Sequence, residues 1–273
     1  MGIDHNVRSA GTCIKNRLPG ILLLYIISSR SIILQRTNPL LVRDAVFSDT
    51  ANSAGKVVFM CCGFKPVQTS KTKGGPWMTR YSLVERKTLE TSIRLELDLD
   101  SREKSVISSG VDFFDRMLNS MSRHGRFCMK LSCSGDTQVD DHHTVEDIGI
   151  CLGMAFREAL GGKAGIRRFG HAMIPMDDAL AVTVVDLSGR AYFRYTGAPL
   201  SGQIKNYSEE LTIEFLRSFS DNAGINLHVE LKSGDNRHHV HEAIFKSLGV
   251  ALYSAFSIDA ALGGSVPSTK GII

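Results

Sequence analysis

A pattern of histidine and glutamate that occurs twice constrains this chain more than any other feature. Residues 113–146 follow the order helix, glycine, alternating strand and Ser-Gly-Asp turn, and they end in HHTVE. Residues 215–242 follow the same order and end in HHVHE. Chance does not readily repeat HHxxE within the same strand–turn–helix context. The sequence therefore predicts an internal duplication.

The periodicity of the apolar residues predicts which segments form the two copies. Alternation with a period of two is typical of half-buried strands, and apolar positions three and four apart are typical of helices. Strands are predicted at 91–99, 126–133, 180–187, 190–195 and 225–231, and helices at 112–123, 144–160, 208–222 and 239–256. We expect an α/β (α+β) fold with two similar halves from the duplication, about 86–178 and 179–273, whose β-sheets pack on paired helices.

Composition narrows the class of protein. The 273 residues carry a formal net charge of +4 without a basic block that is interleaved with aromatic residues, so we expect no nucleic-acid partner. The six cysteines show no CxxC spacing, which favours reduced thiols in a cytoplasmic protein. No apolar run reaches the roughly 20 residues that span a bilayer, so we expect no membrane association.

Residues 1–77 differ in composition from the rest of the chain. They contain ten Lys or Arg but only three acidic residues, and their apolar run Ile21–Ile27 is short. A basic, acid-poor segment with serines is typical of a transit peptide, which would place the protein in a plastid. Alternatively, the segment is upstream sequence and the protein starts at Met78. We favour this second interpretation. We expect residues 1–77 to be an extension that is disordered or not part of the native protein, and 78–273 to be the functional domain.

The HHxxE motif offers metal donors on a helix. In each copy either histidine lies three or four residues from the glutamate, so either can share a helix face with it. Adjacent histidines point about 100° apart and do not readily chelate one ion together. Two copies therefore predict two metal sites that draw on both motifs. The predicted ligands are His142, His143, Glu146, His238, His239 and Glu242. Imidazole and carboxylate donors suit several transition metals, so the donors alone do not select one.

Three further segments combine a basic residue with glycine. They are residues 165–170 (GIRRFG), 187–190 (LSGR) and 267–271 (PSTKG). Arginine offers phosphate a forked set of donors, lysine offers a mobile charge, and glycine lets backbone amides approach a ligand. We therefore expect a phosphorylated small molecule as the substrate.

Five segments together resemble imidazoleglycerol-phosphate dehydratase, an enzyme family of histidine biosynthesis. They are DDHHTVEDIGI, GIRRFGHAMIPMDDALA, DLSGR, NAGINLHVELKSGDNRHHVHEAIFK and PSTKG, all within about residues 86–273. The resemblance implies a hydro-lyase that converts imidazole glycerol phosphate to imidazole acetol phosphate with two Mn²⁺ ions per active site. It also implies self-association into trimers that build a 24-subunit shell, with metal sites between subunits.

The resemblance also implies roles for individual residues. The implied catalytic carboxylates, which would carry out acid–base work, are Glu90 in the RKTLET segment, Glu146 and Glu242. Glu214 joins the metal ligands. The implied contacts to the substrate phosphate are Arg168, Arg190, Ser268 and Lys270.

Two positions depart from the family pattern. Arg116 stands where the family usually has a metal-binding histidine, and Glu214 stands where many members have histidine. A carboxylate still binds metals, whereas a guanidinium stays protonated and does not. We expect Arg116 to turn toward a carboxylate, either Asp115 or Glu214, and one of the two sites to bind metal more weakly than the other.

Two other functions are compatible with these residues. The first is a metal-binding oligomer of the same fold that has lost turnover, which Arg116 would explain. The second is a two-metal hydrolase of phosphate esters, although the predicted cluster is richer in histidine than such a site requires.

Overall fold

The computed structural model describes residues 14–18, 21–28, 31–37, 80–271 and 273, and the chain divides into the units Met1–Pro66 and Val67–Ile273. The first unit contains an antiparallel sheet of three strands, β1 (Ile14–Leu18), β2 (Ile21–Ser28) and β3 (Ser31–Thr37). The remainder of residues 1–77 lies outside the described residues. The interpretation of residues 1–77 as an extension, with Met78 as the start of the protein, stays a prediction.

The first half of the second unit is a four-stranded sheet with two helices. Its elements are β4 (Tyr81–Lys87), β5 (Thr91–Asp98), β6 (Val106–Ser108), α1 (Asp112–Gly125), β7 (Cys128–Gly135) and α2 (His142–Leu160). The strands lie in the order β4-β5-β7-β6, and β6 runs parallel to β7 while the other neighbours are antiparallel.

The second half repeats this arrangement. Its elements are β8 (Phe169–Met176), β9 (Ala179–Asp186), β10 (Tyr192–Thr196), a ribbon of β11 (Gln203–Ile204) and β12 (Tyr207–Ser208), α3 (Leu211–Ala223), β13 (Asn226–Ser233) and α4 (Arg237–Phe256). The sheet order is β8-β9-β13-β10, with β10 parallel to β13. In both halves the third main strand lies at the sheet edge, parallel to the fourth. The predicted duplication and fold class are therefore confirmed.

Alternating side chains give each sheet one buried face. In β5, Ile93, Leu95 and Leu97 are at most 3% exposed, whereas the alternate residues Ser92 and Arg94 are exposed. Because successive side chains in a strand point to opposite faces, the apolar face lies against α2 and the polar face is left outward.

The helices pair across the two halves. α1 packs on α4, and α2 packs on α3. Aromatic rings join these pairs at the centre of the core. The ring of Phe114 in α1 lies edge-on to Phe215 in α3 with 5.1 Å between centroids, and Phe215 stacks on Phe245 in α4 at 5.5 Å. The two halves therefore share one hydrophobic core.

The predicted division between the halves, near residue 178, must be moved toward the N-terminus. β8 pairs with β9 along its whole length, so the second sheet begins at Phe169. The alternation of β8 is hard to recognise because Gly170 and Pro175 interrupt it, and both residues weaken a strand signal. Gly170 occupies a buried position, where an added Cβ would lie 2.0 Å from the carbonyl oxygen of Ala251.

The cysteines of the described residues form no disulfide. These three cysteines, Cys128, Cys133 and Cys151, are free thiols, and burial raises the pKa of Cys151 to about 12. Cys13, Cys61 and Cys62 lie outside the described residues. None of the helices in the described ranges has the length and apolarity needed to cross a bilayer.

Two equivalent glycines set the distance between the paired helices. Gly153 in α2 and Gly249 in α4 each lie eleven residues after the first histidine of their HHxxE motif. A Cβ on Gly153 would lie 2.6 Å from the carbonyl oxygen of Phe219, and one on Gly249 would lie 2.3 Å from that of Met121. Both obstacles are helix backbone, which a side-chain rotation does not remove.

We expect Gly153→Ala to lower the free energy of unfolding by roughly 1–3 kcal/mol, because overpacking must push α3 away from α2. The control is Gly162→Ala, since a Cβ at Gly162 meets no atom within 4 Å. Thermal unfolding at equal protein concentration would measure both. A midpoint for Gly153→Ala at or above that of Gly162→Ala would contradict the close contact.

Candidate active site

The first HHxxE motif forms the first turn of α2. Asp140 Oδ1 accepts a hydrogen bond of 2.8 Å from the backbone N–H of His142 just ahead of that turn. The Nε2 atom of His142 lies 4.0 Å from Glu146 Oε2, one helical turn later. The two predicted ligands thus share a face, as their spacing indicated.

His143 points away from His142 and meets two carboxylates. Its Nδ1 atom is 3.1 Å from Asp136 Oδ2, and its Nε2 atom is 3.7 Å from Glu90 Oε1. The hydrogen bond with Asp136 raises the pKa of His143, and the charge of Glu90 adds to this effect. The predicted catalytic carboxylate Glu90 therefore lies beside the first motif, although more than fifty residues separate them in sequence.

The second HHxxE motif forms the first turn of α4. Asn236 caps this helix by accepting a hydrogen bond of 3.3 Å from the backbone N–H of His239. His238 Nε2 lies 3.1 Å from Glu242 Oε2, which matches the pair in α2. The Nδ1 atom of His239 lies 2.6 Å from Asp178 Oδ1.

Two aspartates contact histidines of the motifs, and the sequence analysis did not identify either of them. Asp136 meets His143 and Asp178 meets His239, each at Nδ1. A carboxylate only accepts hydrogen bonds, so each Nδ1 carries a proton in these contacts, and the aspartate fixes the orientation of the ring. Asp136 belongs to the repeated Ser-Gly-Asp turn and could have been found there. Asp178 could not, because it lies in the β8–β9 turn, outside the repeated pattern.

Backbone amides fix the position of Asp178. Its Oδ2 atom accepts from the N–H groups of Asp235 and Asn236 at 2.6 and 2.8 Å. The bond from Asn236, then that from His239, and then that from Asp235 hold the pKa of Asp178 well below its usual range. An ionised carboxylate is thus locked between the second Ser-Gly-Asp turn and His239.

Arg116 turns toward Glu242, so the prediction of Asp115 or Glu214 as its partner was wrong. Its guanidinium lies 3.5 Å from Glu242 Oε2, and Lys246 Nζ lies 2.7 Å from Oε1. Asp115 instead accepts from the backbone N–H of Ser109. Burial raises the pKa of Glu242, but Lys246, His238 and Arg116 together lower it below the usual value. Glu242 is therefore a carboxylate whose charge is already balanced.

The two halves differ in charge at equivalent positions. A residue in the left-handed conformation directly follows each helix, Arg126 after α1 and Gly224 after α3. Arg116 and Glu214 each lie ten residues before that residue. One half thus has a guanidinium where the other has a carboxylate. Glu214 lies 3.8 Å from Arg217 on its own helix. The first motif has no counterpart of Lys246 either, since Ile150 occupies that position.

The predicted phosphate contacts converge on one cavity of about 260 Å³. Its lining residues are Arg168, Ser188, Arg190, Ser268, Thr269, Lys270 and Ile273. All four predicted residues are among them, although the chain separates them by up to a hundred positions. Within the described residues, the side-chain nitrogens of Arg190 and Lys270 have no hydrogen-bond or ion-pair partner. They are the cations left to meet an anion.

Arg168 has a different part in this cavity. Its Nε and Nη2 atoms donate to the carboxylate of Asp186 at 2.7 and 3.2 Å, and Nη1 donates to the carbonyl of Pro267 at 2.9 Å. The side chain therefore ties the segment that carries Ser268 and Lys270 to β9.

A larger cavity of about 710 Å³ opens beside the second motif. It is lined by the cations Arg102, Lys104, Arg116, Arg123, Arg126 and Lys246 and by the acids Glu103 and Glu242, among other residues. Six cations against two carboxylates make this cavity attractive to an anion.

The structure does not bring all the predicted ligands together within one chain. No group of three His, Cys, Asp or Glu side chains in the described ranges is placed to hold an ion. The small cavity contains no HHxxE residue, and the large one contains only Glu242 of the six motif ligands. In the described residues the predicted ligands therefore lie in separate groups, one at each motif.

The sequence profile of imidazoleglycerol-phosphate dehydratase matches residues 109–252. Similar proteins of that name are 47% identical over 196 residues in Granulibacter bethesdensis and 50% identical over 196 residues in Desulforudis audaxviator. These matches cover 72% of this chain and 100% and 99% of the relatives. The chain belongs to the imidazoleglycerol-phosphate dehydratase family.

Solved structures of the family agree with this assignment. The dehydratase of Staphylococcus aureus is 33% identical with a TM-score of 0.60, covering 66% of this chain and 99% of its own. That of Pyrococcus furiosus is 34% identical with a TM-score of 0.60, covering 70% and 100%. The predicted family, fold and hydro-lyase reaction of histidine biosynthesis are thus confirmed. The alternatives, an oligomer without turnover and a phosphate-ester hydrolase, are not favoured.

We expect Arg116→His to tighten Mn²⁺ binding near Glu242, because it removes a positive charge and adds a donor. A charge pair at 4 Å is worth about 1 kcal/mol in water, and most of the Arg116 side chain is exposed. Loss of the charge alone should therefore improve affinity roughly fivefold. Arg116→Gln measures that part, and Arg116→His should exceed it. Calorimetric titration with Mn²⁺ measures the affinity of each variant. If both isotherms are identical to that of the unchanged protein, Arg116 does not affect metal binding.

Proposed function

We propose that this chain dehydrates imidazole glycerol phosphate at two Mn²⁺ sites that form where copies of the chain meet. The observation that carries the proposal is the doubled HHxxE motif, with one histidine of each copy held at Nδ1 by an aspartate. Bound manganese would act as a Lewis acid and as a template for the substrate. The remaining tasks fall to side chains of this protein.

The donor set fits such ions. In the four pairs His142–Glu146, His143–Glu90, His238–Glu242 and His239–Asp177, the imidazole Nε2 and the carboxylate oxygen are 3.1 to 4.0 Å apart. Neighbouring donors on one ion with bonds of roughly 2.1 Å have a similar spacing. Imidazole with carboxylate also suits manganese among other metals.

A second copy of the chain supplies the missing donors in this proposal. Each motif offers only part of a coordination sphere, and each contains adjacent histidines that point in different directions. A homo-oligomer completes both sites if α2 of one copy faces α4 of another. Trimers that build a 24-subunit shell, which the family resemblance implies, are one such assembly. A cytoplasmic location remains our expectation for it.

The carboxylates divide the proton transfers between them. Glu90 is half exposed and lies against His143, so it is free to contact the substrate. Glu146 is also partly exposed, whereas Glu242 is held by Arg116 and Lys246. We assign proton removal and return to Glu90 and Glu146, which can also contact the ion bound by the neighbouring histidine, and metal binding alone to Glu242 and Glu214. Arg190 and Lys270 would orient the substrate phosphate, with Ser268 as a further donor and Arg168 as their support.

The test of the metal sites pairs activity with metal analysis. His143→Ala and His239→Ala each remove an imidazole that an aspartate orients. We expect each to lower bound Mn²⁺ and to reduce turnover by about 100-fold or more, since a metal Lewis acid contributes several kcal/mol. The control is His171→Ala, an exposed histidine of β8 outside both motifs. Full activity with unchanged metal content in either motif variant would remove the two-site proposal.

The phosphate cavity makes a separate prediction. Arg190→Ala and Lys270→Ala should each raise KM by roughly 10- to 100-fold, because a hydrogen bond to a charged group contributes about 1.5–3 kcal/mol. Lys232→Ala is the matched control, since Lys232 is an exposed lysine that pairs with Glu230 on β13. Steady-state kinetics on imidazole glycerol phosphate decide the matter. If both cavity variants behave like the control, the phosphate binds elsewhere.

A further inference from the structure

A chain of buried polar groups lies beneath the start of α4. His241 and Thr212 are 0% exposed, Tyr207 is 1% exposed and Glu209 is 4% exposed. Tyr207 Oη is 2.8 Å from Thr212 Oγ1, which is 2.9 Å from His241 Nδ1. Burying such groups is unfavourable unless they are hydrogen-bonded. None of them was predicted to belong to the active site.

The internal duplication shows that packing alone does not require His241. Its counterpart is Val145, which likewise lies three residues after the first histidine of its motif and is fully buried. One half thus fills this position with an apolar side chain, and the other fills it with an imidazole. The polar network is specific to the second half.

The hydrogen bonds of this network have one direction. Nε2 of His241 faces the carboxylate of Glu209, which only accepts hydrogen bonds. A neutral imidazole has one donor and one acceptor nitrogen. With the proton on Nε2, the nitrogen that faces Glu209, Nδ1 accepts from Thr212 Oγ1, and Tyr207 donates to Thr212.

That donor points toward a matching acceptor. Nε2 of His241 and Oε1 of Glu209 are both buried without a hydrogen-bond partner in the described residues, and they are 4.0 Å apart. A water about 2.8 Å from each would bridge them, and buried water typically satisfies such groups. Arg237, the first residue of α4, approaches the same Glu209 oxygen to 3.5 Å through Nε.

Phe113 connects the network to the second motif. Its ring packs edge-on against His241 and against His238, with 5.9 and 5.6 Å between centroids. It also lies 5.1 Å from the ring of Tyr207. A shift of His241 would therefore move Phe113 and, with it, the partly buried His238.

We propose that His241 is a positioning residue, which fixes the first turn of α4 through Thr212 and, by way of one internal water, through Glu209. In this way it sets the orientation of His238 and Glu242. The inference rests on the proposed role of these two residues in the metal site. It assigns to His241 no contact with the substrate or with a metal.

The test compares two substitutions of His241 in the full chain. His241→Val installs the residue of the other half, and His241→Asn keeps a polar atom near the position of Nδ1, within reach of Thr212. We expect His241→Val to lower kcat by about 10- to 100-fold, because small misplacements of reacting groups have effects of that size. KM should change little. His241→Asn should recover most of kcat.

A control in the same helix separates positioning from stability. Ser247 is fully buried in α4, lies 2.7 Å from Thr183 Oγ1 and donates to the carbonyl of Ile244. Ser247→Ala should lower the unfolding temperature and leave kcat unchanged. The inference is overturned if His241→Val retains kcat, or if His241→Asn is as slow as His241→Val.

Glu242→Gln distinguishes this inference from the proposed function. If Glu242→Gln is inactive while His241→Val is fully active, the site stands and the positioning role alone is lost. If Glu242→Gln is fully active, the proposed second site is wrong, and the inference falls with it.

Discussion

The close approach of helix backbones across the two halves is the contact on which the rest of the structure depends. α2 reaches α3, and α4 reaches α1, at glycines where no Cβ fits. Each helix that begins with HHxxE is thus held by a helix from the other half. The sheets cover this four-helix core on their apolar faces, and packing at such distances leaves little freedom to slide. The two motifs therefore sit on rigid elements, which suits groups that must be placed accurately.

Within this symmetric frame the two copies have diverged in charge and in polarity. The first motif keeps a lone carboxylate in Glu146, and the position equivalent to Arg116 carries Glu214. The second motif has Arg116 and Lys246 around Glu242 and a buried imidazole beneath it. These differences involve side chains around the motifs and one internal network. The duplicated scaffold therefore carries two motifs that are chemically distinct.

The sequence predicted the repeated elements well because they carry strong periodic signals. The strands at 91–99 and 225–231 and the long helices match β5, β13, α2 and α4. It did not predict β4 and β8, each at one edge of its sheet, because the alternation of β4 is weak and that of β8 is broken by Gly170 and Pro175. Contacts between residues that are distant in sequence could not be predicted either. The partner of Arg116 depended on how α1 crosses α4, and the support of His239 by Asp178 depended on a turn from a different hairpin. The grouping of Arg190 with Lys270 was predicted from residue type and from the family resemblance.

The bonds of Arg168 link the final segment of the chain to anything that occupies the small cavity. One guanidinium holds Asp186 of β9 and the Pro267 carbonyl, so Ser268 and Lys270 arrive in the cavity only when that segment is docked. An anion that contacts Lys270 and Arg190 together bridges the docked segment to the body of the protein. By mass action, such an anion stabilises the docked state by an amount that grows with the logarithm of its concentration above Kd. An anion bound there would therefore favour the docked position of the segment that carries Ser268 and Lys270.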